Sequence, residues 1–157
     1  YKRGFAKEGC KSLHALYRQS ANFEVSHIYP GIPEYFNGRG RGMYHYLTGA
    51  ASWYMLTMIT EVFGVKGDLG DLVIAPSLLP EQFDVRNRTS IILKFGGKAF
   101  EIVYTLLERL EPSEYTIVKA ELDNMPIADG RILPSEMGAL DKEKIHIVEA
   151  WLGRKVQ

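Results

Sequence analysis

Ser90–Leu106 reads SIILKFGGKAFEIVYTL. Two runs rich in β-branched and aromatic residues, Ser90–Phe95 and Ala99–Leu106, flank Gly96-Gly97. Such runs around two residues that tolerate positive φ signal a β-hairpin. Working outward, Leu72–Ala75 is a short apolar run stopped by Pro76. Tyr115–Leu122 reads as another strand, followed by the turn-prone Asp123-Asn124, and Ile145–Trp151 as a further one. Several short strands with turn signals between them predict a small antiparallel β-sandwich.

Toward the N-terminus the period changes. Phe5, Ala6, Cys10, Leu13, Leu16 and Tyr17 fall near helical spacing and predict a helix over about residues 4–21. A Gly- and Pro-rich loop follows over 22–42. A second helix is predicted from about Thr48 to Phe63, with Ala51, Met55, Met58, Ile59 and Val62 as its apolar stripe and Gly64 as C-terminal cap. Its first turn is small (Gly49, Ala50, Ala51, Ser52), which lets a backbone or ligand approach. The boundary between a helical piece and a β piece therefore falls near Gly64–Asp71.

The chain has 157 residues, 19 Lys+Arg against 19 Asp+Glu, 46% hydrophobic and 24% charged residues. These values exclude a disordered chain and allow one core or two small ones. The zero balance argues against a polyanion binder but leaves a local anion site open. No apolar stretch reaches the roughly 18 residues of a membrane span. The lone Cys10 forbids an internal disulfide and reads as a packing residue. The first residue is Tyr1 and a helical pattern starts almost at once, from which a missing N-terminal part is expected.

Charge does not separate the halves, but aromatics do: 12 of 18 lie in residues 1–63, with His14, His27 and His45. The densest stretch is Ile28–Tyr54, IYPGIPEYFNGRGRGMYHYLTGAASWY, with seven aromatics and five glycines. A loop this long in a small chain is usually functional or disordered, and the aromatic content argues against disorder. Gly38–Gly42 (GRGRG) follows no predicted strand, so it is not a dinucleotide fingerprint, and it lacks the Lys-Ser/Thr end of a P-loop. It reads either as a flexible loop with solvated arginines or as backbone held near an anionic or polyhydroxyl ligand, with Arg39 or Arg41 reaching inward. Thr48 suits a helix N-cap. The same position, with Gly49, suits a phosphate on the free N–H groups of the helix start. His45 suits an acid, base or phosphate ligand, or a structural hydrogen bond. Glu34, stiffened by Pro30 and Pro33, suits sugar hydroxyls among aromatic platforms, though those rings also suit a core. No metal-ligand spacing and no Gly-x-Ser-x-Gly elbow occurs.

Three motifs together resemble the C-terminal region of glycoside hydrolase family 94. They are Gly-Arg-Gly-Arg from Gly38, Leu-Thr-Gly-Ala-Ala-Ser-Trp over Leu47–Trp53, and Phe63-Gly64-Val65 followed by Gly-Asp-Leu-Val-Ile-Ala-Pro over Gly70–Pro76. The resemblance covers about Ile28–Phe83. That family contains cellobiose, cellodextrin, chitobiose and β-1,2-oligoglucan phosphorylases and cyclic β-1,2-glucan synthases, and the Tyr29–Phe36 form of the loop is nearer the β-1,2-oligoglucan enzymes.

The resemblance implies an α+β chain: the last helices and active-site loop of an (α/α)6 barrel in residues 1–66, then a C-terminal β-sandwich domain in 67–157. It implies a hexosyltransferase, cytoplasmic in setting, that cleaves β-linked gluco-oligosaccharides with inorganic phosphate and inverts the anomeric centre to give α-glucose 1-phosphate. Phosphate is co-substrate, and no cofactor or metal is implied. The general-acid Asp is expected upstream of this chain, so no catalytic residue is assigned within it. Thr48 matches a phosphate-contacting Thr, with Gly49 and Arg41 on the phosphate side. Glu34, Tyr35, Arg39 and His45 are assigned to the sugar side. Expected partners are the β-linked oligosaccharide, phosphate and the remainder of a parent polypeptide, with a homodimer left open and neither nucleic acid nor membrane expected. The alternative from a different class is a non-catalytic carbohydrate-binding or interaction module, which would show aromatics clustered on an exposed strand face within residues 72–157.

Overall fold

The computed structural model describes residues 1–28, 31–44 and 49–155. The chain divides into two units, Tyr1–Glu61 and Val62–Gln157.

In the first unit, α1 (Ala6–Ala21) is followed at once by the single turn α2 (Phe23–Ser26). The corner between them is tied by Ser26, whose buried hydroxyl donates to the Ser20 carbonyl at 2.9 Å and accepts from Ile28 N–H at 3.1 Å. His27 closes α2 with φ 54°, the left-handed conformation that ends many helices. Two short strands, β1 (Tyr35–Phe36) and β2 (Gly42–Met43), form an antiparallel hairpin. α3 (Gly49–Thr57) continues as a π-helical turn over Met58–Val62. There the hydroxyls of Thr57 and Thr60 donate back to the carbonyls of Trp53 and Leu56, competing for them as the ladder widens.

The helices overturn the expected barrel. Apart from single turns, the described residues hold only the 16-residue α1 and the nine-residue α3 in this unit, and no paired barrel helices. The expected second helix, 48–63, loses its α-geometry after Thr57. No residue of α3 is buried, and of its expected stripe only Val62 is. Helical periodicity placed α1 and the α-helical part of α3 but not the end or the buried face of the second helix, and it says nothing of the layer into which helices assemble.

The second unit is β-rich. β3 (Val65–Asp68), β4 (Asp71–Ile74) and β9 (Arg131–Ile132) form a three-stranded sheet in that order. β5 (Arg88–Phe95), β6 (Lys98–Leu106), β7 (Tyr115–Leu122), β8 (Met125–Pro126) and β10 (Ile145–Arg154) form a five-stranded sheet, ordered β5-β6-β10-β7-β8. A short helix α4 (Pro134–Ala139) lies between β9 and β10. It opens on Pro134, and the Glu136 carboxylate accepts the Leu133 N–H at 2.7 Å.

The five-stranded sheet is mixed, which corrects the antiparallel expectation. β10 enters between β6 and β7, parallel to β6 and antiparallel to β7. Period-2 alternation sets its faces. Phe100, Ile102, Tyr104 and Leu106 of β6 stand beside His146, Val148, Ala150 and Leu152 of β10 in register, all buried. Leu72, Ile74 and Ile132 supply the buried side of the smaller sheet. The sheets meet closely: a methyl at Gly67 would press on the Phe95 ring, and one at Gly130 on Ile117. Gly64, with φ +69°, turns the chain into β3, and a Cβ there would lie 1.9 Å from the Ala75 carbonyl oxygen. Only glycine fits.

Candidate functional site

Within the stretch expected to carry chemistry, residues 35–43 form a hairpin. Asn37 builds its tip. Its Oδ1 accepts the N–H groups of Arg39 and Arg41 at 2.9 and 3.1 Å, while its own N–H donates to the Arg41 carbonyl at 2.9 Å. This is the local side-chain turn that asparagine favours. Gly40 takes φ +83°, and its carbonyl accepts from Gln19 Nε2 on α1 at 2.9 Å. Gly42 sits against Ile28 so tightly that a Cβ would come within 2.3 Å of it. Ile28, Pro33 and Gly42 thus make the hairpin's small buried footing.

On this footing Arg39 and Arg41 are both exposed and have no ion-pair partner among the described residues. Arg41 lines a cavity of about 400 Å³ with His27, Asn37, Met43 and Tyr44; Arg39 does not. Tyr35 and Tyr44 stack at 5.7 Å between ring centroids, tilted by 46°. Tyr44 is 70% exposed and Tyr35 49%. Glu34 is exposed; its N–H donates to the Tyr44 carbonyl at 3.1 Å and its Oε2 accepts from Ala50 N–H at 3.4 Å. A carboxylate at the start of α3 is favoured by the helix dipole. Gly49 opens α3 in open space, where a Cβ would make only ordinary contact with Trp53. Nothing steric demands glycine there.

The structure therefore brings Glu34, Tyr35, Arg39 and Arg41 onto one hairpin and sets Glu34 beside the α3 start. Thr48 and His45 lie outside the described residues. Asn37 and Tyr44 were not singled out as site residues. An Asn leading into Gly-Arg-Gly was the available signal for the first; no local pattern marks the second among so many aromatics. Residues 1–61 contain no aspartate, the first being Asp68. In α3, burial, with Tyr17 and Cys10 nearby, pushes the Tyr54 phenol up.

The second unit lacks the aromatic face that a carbohydrate-binding module would need. Of its aromatics, Phe100, Tyr104 and Tyr115 are buried and Phe83 and Phe95 are half-buried. Trp151, on the outer sheet face, is half-buried and covered by Lys119 Nζ at 4.4 Å from its ring centroid. Among the described residues no group of His, Cys, Asp or Glu is placed to hold a metal ion. None of the helices is long and apolar enough to cross a membrane, again among the described residues.

Compared with models of known protein families and with curated proteins, the chain matches none.

Proposed function

We propose that this chain supplies phosphate- and sugar-contacting groups to an inverting glycoside phosphorylase acting on β-linked gluco-oligosaccharides. The observation that carries the reading is the hairpin. Two exposed arginines with no ion-pair partner among the described residues, an aromatic pair and a carboxylate are held together beside a helix start. The motif resemblance over Ile28–Phe83 supports the same reading independently of that geometry.

The chemistry follows from charge. An ordinary inverting hydrolase needs an acid for the leaving oxygen and a base for water. Phosphate is already an anion, so a site that attracts it replaces the base. One phosphate oxygen attacks the anomeric carbon, the glycosidic C–O bond breaks, and a general acid outside this chain protonates the leaving oxygen. The product is α-glucose 1-phosphate. Arg41 attracts the phosphate, Thr48 and Gly49 bind it at the helix start, and Arg39 lies on the sugar side. Tyr35 and Tyr44 offer flat apolar faces to the sugar, and Glu34 and His45 take its hydroxyls. The exposed apolar residues of α1 and α3, among them Tyr17, Trp53 and Met55, suit a parent polypeptide that packs over them. The setting is cytoplasmic, where phosphate and sugar phosphates are used.

The test is a pair of variants in the full-length protein. Arg41→Ala is expected to raise the KM for phosphate while leaving that for sugar unchanged, and Tyr44→Ala to do the reverse. Equal effects of both variants on both substrates would refute the assignment.

A further inference from the structure

His146, at the second position of β10, is buried to 5% exposure, its ring 6.0 Å from that of Phe100. Its Nδ1 lies 2.6 Å from Asp123 Oδ2, and its Nε2 lies 2.8 Å from the Asp141 carbonyl oxygen. Both partners are acceptors. A neutral imidazole carries one N–H, so in either tautomer one ring nitrogen would turn a lone pair toward an oxygen. Only the imidazolium donates to both.

The surroundings hold this arrangement in place. Asp123 sits in a tight turn, with φ 49° at Asp123 and 68° at Asn124. Its Oδ1 accepts the Ile147 N–H at 2.9 Å, and its own N–H donates to the Ile147 carbonyl at 2.9 Å. From β6, the buried Lys98 donates to the Leu140 carbonyl. Two consecutive carbonyls, at 140 and 141, are thus each held by a basic side chain from neighbouring strands, where the chain runs from α4 into β10.

We infer that His146 is a pH-operated latch: charged, it fastens the 141–145 segment to the β7–β8 turn, and on losing the Nε2 proton to solvent it frees that segment. Asp123 keeps the Nδ1 proton, so the Asp141 carbonyl is the partner that is lost.

The groups facing the ring decide where the latch opens. Burial works against the charged ring. The hydrogen bonds that the ring donates to the Asp123 carboxylate and the Asp141 carbonyl, with the Asp123 charge, outweigh it, while Lys98 on β6 opposes. The result is a raised pKa for His146. Burial likewise works against the Asp123 carboxylate, but the bonds from His146 and Ile147, the His146 charge and Lys144 together hold it below the usual carboxylate range. The Asp141 carboxylate is occupied by the Glu143 N–H. Because the folded value is raised, the latch contributes fully below the ordinary histidine value of about 6.5 and is lost as pH rises through the raised value.

The experiment is an NMR titration of the full chain, with the His146 ring nitrogens assigned by comparison with His146→Gln. Both ring nitrogens are expected to be protonated at pH 6.5, with one proton lost above that. In the same step, amide exchange over 141–145, corrected for its intrinsic pH dependence, is expected to rise about tenfold. His146→Gln is expected to abolish the step, and Asp123→Asn to move it to lower pH. Titration of His146 at or below its ordinary value, or exchange that ignores the step, would overturn the latch. If a variant fails to fold, the wild-type titration decides alone.

Discussion

Tyr115→Phe removes one oxygen from the second unit, and the structure gives its worth. Tyr115 opens β7 and is buried. Its hydroxyl accepts the Leu78 N–H at 2.7 Å and donates to the Leu78 carbonyl at 3.0 Å. Leu78 is fully buried in the irregular segment after β4 and has no backbone partner of its own among the described residues. Burial pushes the Tyr115 phenol up, partly opposed by the Leu78 bond, so the hydroxyl keeps its proton and can donate. Deleting it orphans a buried N–H, at about 1–3 kcal/mol, and weakens a carbonyl, at about 0.5–1.5 kcal/mol. A total near 3 kcal/mol is a large share of a domain stability of about 5–15 kcal/mol. For a unit of this size it lowers the unfolding midpoint by roughly 12–24 °C. The control is Tyr104→Phe. Among the described residues that hydroxyl makes a single bond, to the Phe63 carbonyl at 2.5 Å, and its loss is expected to cost about half as much. Thermal and urea unfolding, followed by the β-sheet circular dichroism signal, measure both. If Tyr115→Phe costs no more than Tyr104→Phe, the two-sided bonding of Leu78 is not what holds that segment.

Three further outcomes are expected. Gly64→Ala adds about 1–2 kcal/mol of left-handed backbone cost and a collision with the Ala75 carbonyl, so the second unit is expected to lose most of its stability in urea unfolding. Leu72→Ala empties a fully buried position and is expected to cost about 2–5 kcal/mol by the same assay. Asn37→Ala removes the acceptor for two N–H groups at the hairpin tip. Losing about 1–2 kcal/mol of local order is expected to weaken phosphate binding about 5–30-fold, read as the KM for phosphate, without shifting the unfolding of the second unit.

What was legible in the sequence were features written in neighbouring residues. Runs rich in β-branched and aromatic residues marked β5, β6, β7 and β10, and Gly96-Gly97 and Asp123-Asn124 marked turns between them, all four residues with positive φ. α1 was legible to within two residues of its start. Long-range arrangements were not. The parallel pairing of β10 with β6 joins residues more than 40 positions apart, and no local pattern encodes a parallel partner. β1, β2 and β9 are two residues each, too short to show a period. The barrel failed because a motif resemblance carries a whole architecture, while these helices supply only local periodicity. At the candidate site, residue types were legible and their order was not. Asn37 converts a glycine-rich loop into a defined turn by accepting two N–H groups, and that depends on backbone geometry. His146 read as an unremarked strand residue because Asp123 and Asp141 reach it only through the fold.

The central claim is that phosphate, not water, is the nucleophile. The direct measurement is incubation of the full-length protein with a β-linked gluco-oligosaccharide, with and without inorganic phosphate, the products read by NMR. The expected product is α-glucose 1-phosphate, formed only when phosphate is present. Release of free glucose at the same rate with or without phosphate, or a β-configured sugar phosphate, would contradict it.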